Sequence, residues 1–216
     1  MVLEIGPHKV KLGNVLDGIE ELMNSDEAAI MYSDPPWGSG NLTYWETMRL
    51  KMDGLPASKR RQTIPIDQFL EQIITIAELY VHGYLVIEYG EKWADLVINK
   101  ATKHGFRHET TIGTLYQSGA KLLPMHLHIF SNAPNSVDIG ALEKLVTGTH
   151  GYETVKSTMR HLAKPGKILL DPCCGMGYSA QAAIDYGMIF RGNEMIKKRL
   201  QKTITRLERA PCISQP

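Results

Sequence analysis

An α/β fold, with a mostly parallel sheet and helices on both faces, is what this sequence predicts. Short apolar runs alternate with amphipathic stretches along the chain, the pattern of strands fed through crossover helices. Two of those runs end in turns of unusual composition, "SDPPWGSG" at 33–40 and "DPCCGMG" at 171–177. The length, 216 residues, suits one domain with a full core.

Each element has its own signal. "HKVKLGN" (8–14) is strand-like and "VLDGIEELMN" (15–24) helical. "AAIMYS" (28–33) is a strand running directly into Asp34. Phe69, Ile73, Ile76, Ala77 and Tyr80 recur at helical spacing, so 66–83 is expected as a helix ended by Gly83. "YLVIEYG" follows as a buried strand, then a helix over 91–105 closed by Gly105. "HETTIGTLYQS" and "MHLHIFS" are two further strands, and "YETVKSTMRHLAKPG" a helix stopped by Pro165-Gly166. "KILLD" enters the glycine-rich turn; helix "SAQAAIDYG", strand "MIFRGNE" and a last helix over 195–209 complete the order. Residues 38–65 and 131–149 show no clear period, and the first is expected to be a long loop, functional or mobile and poorly ordered without nucleic acid.

Composition excludes little. A formal charge of +1 neither announces a nucleic-acid binder nor rules out a local basic patch. Three cysteines, two of them adjacent as Cys173-Cys174, form no disulfide framework and suggest a reducing, cytoplasmic setting. No apolar run is long enough to span a bilayer, and "MVLEIGPHKVKLG" lacks a signal-peptide core, so no membrane association is expected. His126 and His128 alternate onto one strand face without further Cys or His nearby, so no metal site is expected.

The turn "LLDPCCGMGYSA" has the strand–turn–helix context of a cofactor-binding loop. Gly175 and Gly177 let backbone approach a ligand, which a Cβ would prevent. No Gly-Lys-Ser/Thr follows, and Asp171 within the turn would repel a pyrophosphate but suit an ammonium or sulfonium. Glu194 ends the next strand, where a carboxylate can accept both hydroxyls of a ribose. The bland alternative is a tight turn that merely packs helix on strand.

In "DPPW" the prolines fix φ and remove backbone donors, leaving carbonyl acceptors in a set geometry. Asp34 and the Pro35 carbonyl can together accept both hydrogens of one amino group, while Trp37 offers a flat face to a planar ring. Such acceptors favour a pyramidal nitrogen and free the lone pair of an otherwise unreactive exocyclic amine.

With these two motifs in hand, the sequence resembles the S-adenosylmethionine-dependent amino-methyltransferases that modify adenine N6 or cytosine N4 in DNA. The resemblance covers most of the chain and implies a Rossmann-like, seven-stranded methyltransferase sheet. The catalytic motif precedes the cofactor motif, as in the permuted beta arrangement, with the two strands neighbours at the topological switch point. Asp34, Pro35, Pro36 and Trp37 would be catalytic. Asn14, Asp34, Asp171, Pro172, Cys173, Gly175, Gly177 and Glu194 would hold S-adenosyl-L-methionine. Trp37, Tyr44, Trp45, Lys59, Arg60 and Arg61 would meet nucleic acid bearing a flipped or single-stranded target base.

The chain also departs from the family's pattern. Thr154-Val155 stand where a Lys-Pro pair is usual, leaving the cofactor's carboxylate contact unassigned. Only a short stretch separates the last strands from the lead-in helix, so a single domain over 1–216 without a separate target-recognition domain is expected. Recognition would then fall to the 38–65 loop, to a homodimer partner or to another subunit. The Trp of D-P-P-W favours adenine N6 in DNA. RNA adenine methylation and a non-catalytic subunit of methyltransferase fold are the alternatives.

Overall fold

The computed structural model describes residues 1–134 and 137–209. One eight-stranded sheet takes every strand: β1 (Val2–Ile5), β2 (His8–Leu12), β3 (Ala28–Ser33), β4 (Val81–Gly90), β5 (Arg107–Ser118), β6 (Lys121–Ser131), β7 (Ile168–Asp171) and β8 (Ile189–Glu194). Their spatial order is β1-β2-β8-β7-β3-β4-β6-β5. From β2 to β4 every pairing is parallel; β1 pairs antiparallel with β2 at one edge, and β6 and β5 pair antiparallel at the other. The sheet therefore has eight strands rather than the expected seven. The addition is the hairpin strand β1, whose largely exposed residues give little apolar signal.

The helices are α1 (Glu20–Met23), α2 (Ser39–Met52), α3 (Ile66–Tyr80), α4 (Ala94–Lys103), α5 (Ile139–Val146), α6 (Tyr152–Leu162), α7 (Tyr178–Asp185) and α8 (Lys197–Glu208). Side-chain alternation along the strands divides the core in two. Ile30, Tyr32, Val86 and Leu169 face α5 to α8 through residues such as Leu142, Met159, Ala183 and Leu200. Met31, Leu85, Ile87 and Leu170 face α1, α3 and α4 through Leu22, Leu70, Ile73 and Val97. Strands buried on both faces are why β3, β4 and β7 appear as continuous apolar runs. No helix among the described residues is long and apolar enough to cross a membrane.

Three expectations need correction. Helix α3 stops at Tyr80, and Gly83 lies inside β4 rather than ending a helix. A Cβ on Gly83 would stand 2.2 Å from the Ala29 carbonyl oxygen, so glycine is needed where β3 bulges between Ala28 and Ile30. The 38–65 segment is not a long loop: it contains α2 and a short 3₁₀ turn, Ala57–Lys59. The 131–149 stretch contains α5, whose Asp138 accepts from the Ala141 N–H at 3.0 Å as an N-cap. Residues 135 and 136 of that stretch lie outside the described residues.

Candidate active site

The parallel strands β2, β8, β7 and β3 deliver their C-terminal ends to one edge of the sheet, where an open α/β sheet forms its crevice. Met31 of β3 pairs with Leu170 of β7, so Asp34 and Asp171 emerge side by side although far apart in sequence. Two cavities open there. One, of about 420 Å³, is bordered by Asn14, Asp34, Trp37, Phe69, Pro172 and Glu194, with Pro35 and Pro36 in its wall. The other, of about 690 Å³, is bordered by Glu88, Gly151, Asp171, Gly175, Tyr178 and Ser179. Asp34, Trp45, Tyr116, Cys173 and Arg199 line both.

The glycine-rich turn is built by its own side chains. Asp171 accepts from the Cys173 N–H at 3.0 Å and from the Ser179 hydroxyl, which ties the strand end to the first turn of α7. Burial nevertheless pushes its carboxyl up to about 7, against those two bonds and with the charges of Asp34 and Glu194 adding to the rise. Gly177 stands at φ 80°, ψ 36°, the left-handed region, as the N-cap of α7. Asn193 joins neighbouring strand ends, donating to the carbonyls of Gly13 (3.2 Å) and Pro172 (3.1 Å), while its own Oδ1 is buried without a partner.

Glu194 is 7% exposed. Its Oε1 accepts from the Ile196 N–H at 2.8 Å, and its Oε2 lies 4.0 Å from Arg199 Nε. Burial raises its carboxyl, and Arg199 opposes the rise. Asn14 spends its Oδ1 on the Leu16 N–H (3.2 Å), capping the turn that follows β2.

Asp34 faces the cleft rather than the core and is exposed there, with the walls of both cavities around its carboxylate. Desolvation by those walls pushes its carboxyl up to about 6, with Arg199 pulling the other way. Trp37 is wedged between two further aromatics, Trp93 (centroids 5.8 Å, tilted) and Tyr116 (5.6 Å, edge-on). Glycines make that wedge possible, because a Cβ on Gly90 would stand 2.6 Å from Trp93 and 3.1 Å from Trp37. Asn41 donates to the Trp37 carbonyl, fixing the start of α2 against the motif.

Helix α2 roofs the cleft. Its Tyr44 and Trp45 meet edge to face at 5.1 Å, and the Arg199 guanidinium lies 4.2 Å over the Trp45 ring. Asp53, beyond the end of α2, accepts from the Lys197 and Lys198 N–H groups at the start of α8 (3.2 and 3.4 Å). Lys59, Arg60 and Arg61 do not line either cavity, and all three are exposed. Their backbone is held by α2, since Arg49 donates to the Lys59 carbonyl (2.8 Å) and the Arg61 N–H to Glu46 (2.7 Å).

Several residues that sequence reasoning missed belong to this site. Tyr116, Ser118 and Leu123 arrive from the β5–β6 hairpin, which reaches over the cleft. Arg199 comes from α8. Glu88 sits on β4, accepting from the Tyr32 hydroxyl at 2.8 Å. Burial pushes its carboxyl up to about 8, the charge of Asp34 adds to this, and the Tyr32 bond offsets part of it. The tyrosine–glutamate pair carried no local signal, because its partners lie on different strands.

Glu88 gives a stability prediction. Its native pKa is raised above the unfolded value of about 4.3, so the native state holds a proton that the unfolded state releases. Its contribution to stability is therefore full below about pH 4 and is lost as the pH rises towards 8. Glu88→Gln keeps an acceptor for Tyr32 and removes the buried charge. The variant is expected to be more stable than wild type by roughly 1–3 kcal/mol at pH 9, with the gap closing by pH 5. Thermal melts across that range would show a pH-independent gap if Glu88 ionised normally.

No protein-family model matches this sequence, and no curated protein matches it either. Solved structures do. M1.HpyAVI aligns with a TM-score of 0.66 at 16% identity, over 92% of this chain and 97% of that one; its complex with S-adenosylmethionine aligns at 0.63. TTHA0409 of Thermus thermophilus, described as a DNA modification methylase and complexed with S-adenosyl-L-methionine, aligns at 0.61 and 17% identity over 95% and 96% of the two chains. The cytosine-N4-specific PvuII DNA methyltransferase aligns at 0.60 and 13% identity over 92% and 86%. The chain thus has the fold of these proteins, across nearly their full lengths.

Proposed function

We propose that this protein transfers a methyl group from S-adenosyl-L-methionine to an exocyclic amino group of a nucleobase in DNA, adenine N6 being the target. The observation that carries the reading is the meeting of "DPPW" and "DPCCGMG" at adjacent parallel strand ends, over two cavities that share Asp34. Fold likeness to S-adenosylmethionine-bound structures and to a DNA methyltransferase supports it.

The residues present fit the cofactor. At the turn, Gly175 has no Cβ to push away the Arg199 guanidinium that borders both cavities, and Asn193 Oδ1 is an orphaned acceptor on the neighbouring strand end. Glu194 would accept the ribose hydroxyls, and Asn14, Phe69 and Ile196, which border the same cavity, would hold the adenine. When bound, the cofactor supplies an electrophilic methyl on a sulfonium.

Everything else falls to the chain. Asp34 and the Pro35 carbonyl accept the two amino hydrogens, turning the nitrogen pyramidal and aiming its lone pair across the cleft. Trp37, already fixed by Trp93 and Tyr116, offers a preordered face to a base whose extrusion costs a few kcal/mol. The substituted nitrogen must then lose one proton. Asp34, at about 6, is the carboxylate able to take it and pass it to solvent. Glu88, at about 8, already holds a proton at neutral pH and is not the acceptor.

The domain reading follows as a proposal: the α2 roof and the β5–β6 hairpin bind substrate in place of a separate recognition domain, with a second subunit as a further source of contacts. Lys59, Arg60 and Arg61 are assigned to phosphate contact. Neutralising all three is expected to weaken DNA binding and to flatten its salt dependence, by a slope of about one for each phosphate that is no longer neutralised. Cofactor affinity should stay unchanged. An unaltered salt slope would move the DNA-binding surface elsewhere.

Incubation with labelled cofactor and DNA, RNA or free nucleosides, followed by identification of the modified nucleoside, tests the whole reading. N6-methyladenine in DNA is the expected product. N4-methylcytosine would correct the base, label in RNA alone would correct the polymer, and no transfer to any of the three would remove the enzymatic reading.

A further inference from the structure

The two cavities are strongly acidic. Asp34 and Glu194 line the first; Asp34, Glu88, Glu153 and Asp171 line the second. Among the described residues bordering either cavity, Arg199 is the one arginine or lysine, and it borders both. Its guanidinium carbon lies over the Trp45 ring, 4.2 Å from the centroid, and its Nη2 is 2.4 Å from where a Cβ on Gly175 would be. Its Nε is buried without a hydrogen-bond partner, 4.0 Å from Glu194 Oε2 and so beyond bonding distance. The cation is positioned over Trp45 and by helix α8, and among the described residues its guanidinium makes no hydrogen bond.

A ligand ending in an amino acid poses a charge problem here. Its ammonium finds acceptors everywhere, but its carboxylate meets a like-charged wall. The helix bordering that end, α6, presents Tyr152, Glu153 and Val155 to the cavity, none of them cationic. Thr154 is fully buried and bonded to the Thr149 hydroxyl at 3.0 Å.

We propose that Arg199 is the anchor for the α-carboxylate of the cofactor's amino-acid end, an inference that rests on the cofactor reading above. The guanidinium fork offers two parallel donors to a carboxylate. Stacking on Trp45 holds the fork in place beforehand, so little side-chain freedom is lost on binding. Arg199 thereby couples the α2 roof to the ligand: the carboxylate neutralises the charge that otherwise sits between Asp34 and Glu194.

The test compares two ligands that share the adenosine half. S-adenosylhomocysteine carries the amino-acid end and 5′-methylthioadenosine lacks it. Calorimetry on the full chain is expected to show wild type preferring S-adenosylhomocysteine. Arg199→Gln should lose roughly tenfold to a hundredfold in affinity for it while binding methylthioadenosine within about twofold of wild type. Arg199→Lys, which keeps the charge without the fork, should fall between. Glu194→Ala should weaken both ligands alike, because both carry the ribose.

Equal losses for both ligands in Arg199→Gln, or no loss for either, would overturn the anchor. So would an intact S-adenosylhomocysteine preference accompanied by weakened DNA binding, which would assign the guanidinium to a phosphate. Wild type binding neither ligand would overturn the cofactor reading and the anchor with it.

Discussion

Asp34→Ala is expected to lower methyl transfer by at least about 10²–10³-fold, the scale for removing one preorganised polar group from a transition state. Cofactor affinity should change little, because the carboxylate acts on the amino group of the base. Two properties of the site make the effect large. Asp34 emerges between rigid neighbours, a buried strand on one side and two prolines on the other, so alanine leaves the cleft's shape intact and removes only the acceptor. The nearest carboxylates are otherwise occupied: Asp171 is committed to Ser179 and Cys173, Glu88 is protonated at neutral pH, and Glu194 accepts from the Ile196 N–H. The same reasoning gives a pH profile. With Asp34 near 6, the acceptor form is lost as the pH falls through that value, so turnover should rise from pH 5 and level off above about 7. A bound cation favours the ionised carboxylate and moves the rise to lower pH. Near-normal turnover in the alanine variant, or a flat profile between pH 5 and 8, would dismiss the catalytic assignment of "DPPW".

Gly177→Ala is expected to be the most damaging single methyl in the site. The backbone there is left-handed, which costs a residue with a Cβ about 1–2 kcal/mol. The new Cβ would also stand 2.8 Å from the Thr203 hydroxyl and 2.9 Å from its Cα, on the α8 backbone. Thr203 cannot swing aside, because it is fully buried and donates to the Gly175 carbonyl at 3.3 Å. Overpacking of this kind adds roughly 1–3 kcal/mol, for a total of about 2–5 kcal/mol. Denaturant melts should show the midpoint falling with little change in slope, and cofactor binding should weaken as the turn moves away from Glu194. A variant as stable as wild type would mean that α7 and α8 separate more readily than their packing indicates.

Much of the fold was legible locally. Strands β3, β4 and β7 are buried on both faces, so their sequences are plainly apolar, and the turns that follow β3 and β7 carry side chains with no ordinary structural use. Their common crevice followed from the rule that parallel strands place their C-terminal ends together. What was missed has a physical cause in each case. Helix α2 shows no apolar period because its inward side buries an ion pair, Arg49 to Glu46, beside Leu50 and the half-buried Leu42. Helix α5 is short, though its Asp138 cap stood in the sequence to be found. Strand β1 is too exposed to alternate.

Tertiary structure alone decided the rest. Tyr116 covers the cleft only because a long antiparallel hairpin overshoots the edge of the sheet. Glu88 becomes a proton-bearing neighbour of Asp34 only because β4 pairs with β3 and buries it beneath the Tyr32 hydroxyl. Arg199 faces both cavities because α8 packs into the core through Leu200 and Leu207, with Asp53 at the end of α2 accepting from the N–H groups at its start. Local composition determines which strands are buried and which turns are unusual, because burial and backbone geometry act on each residue's own type. The charge balance of a cleft depends on which distant side chains long-range pairing brings together, and no local pattern encodes that.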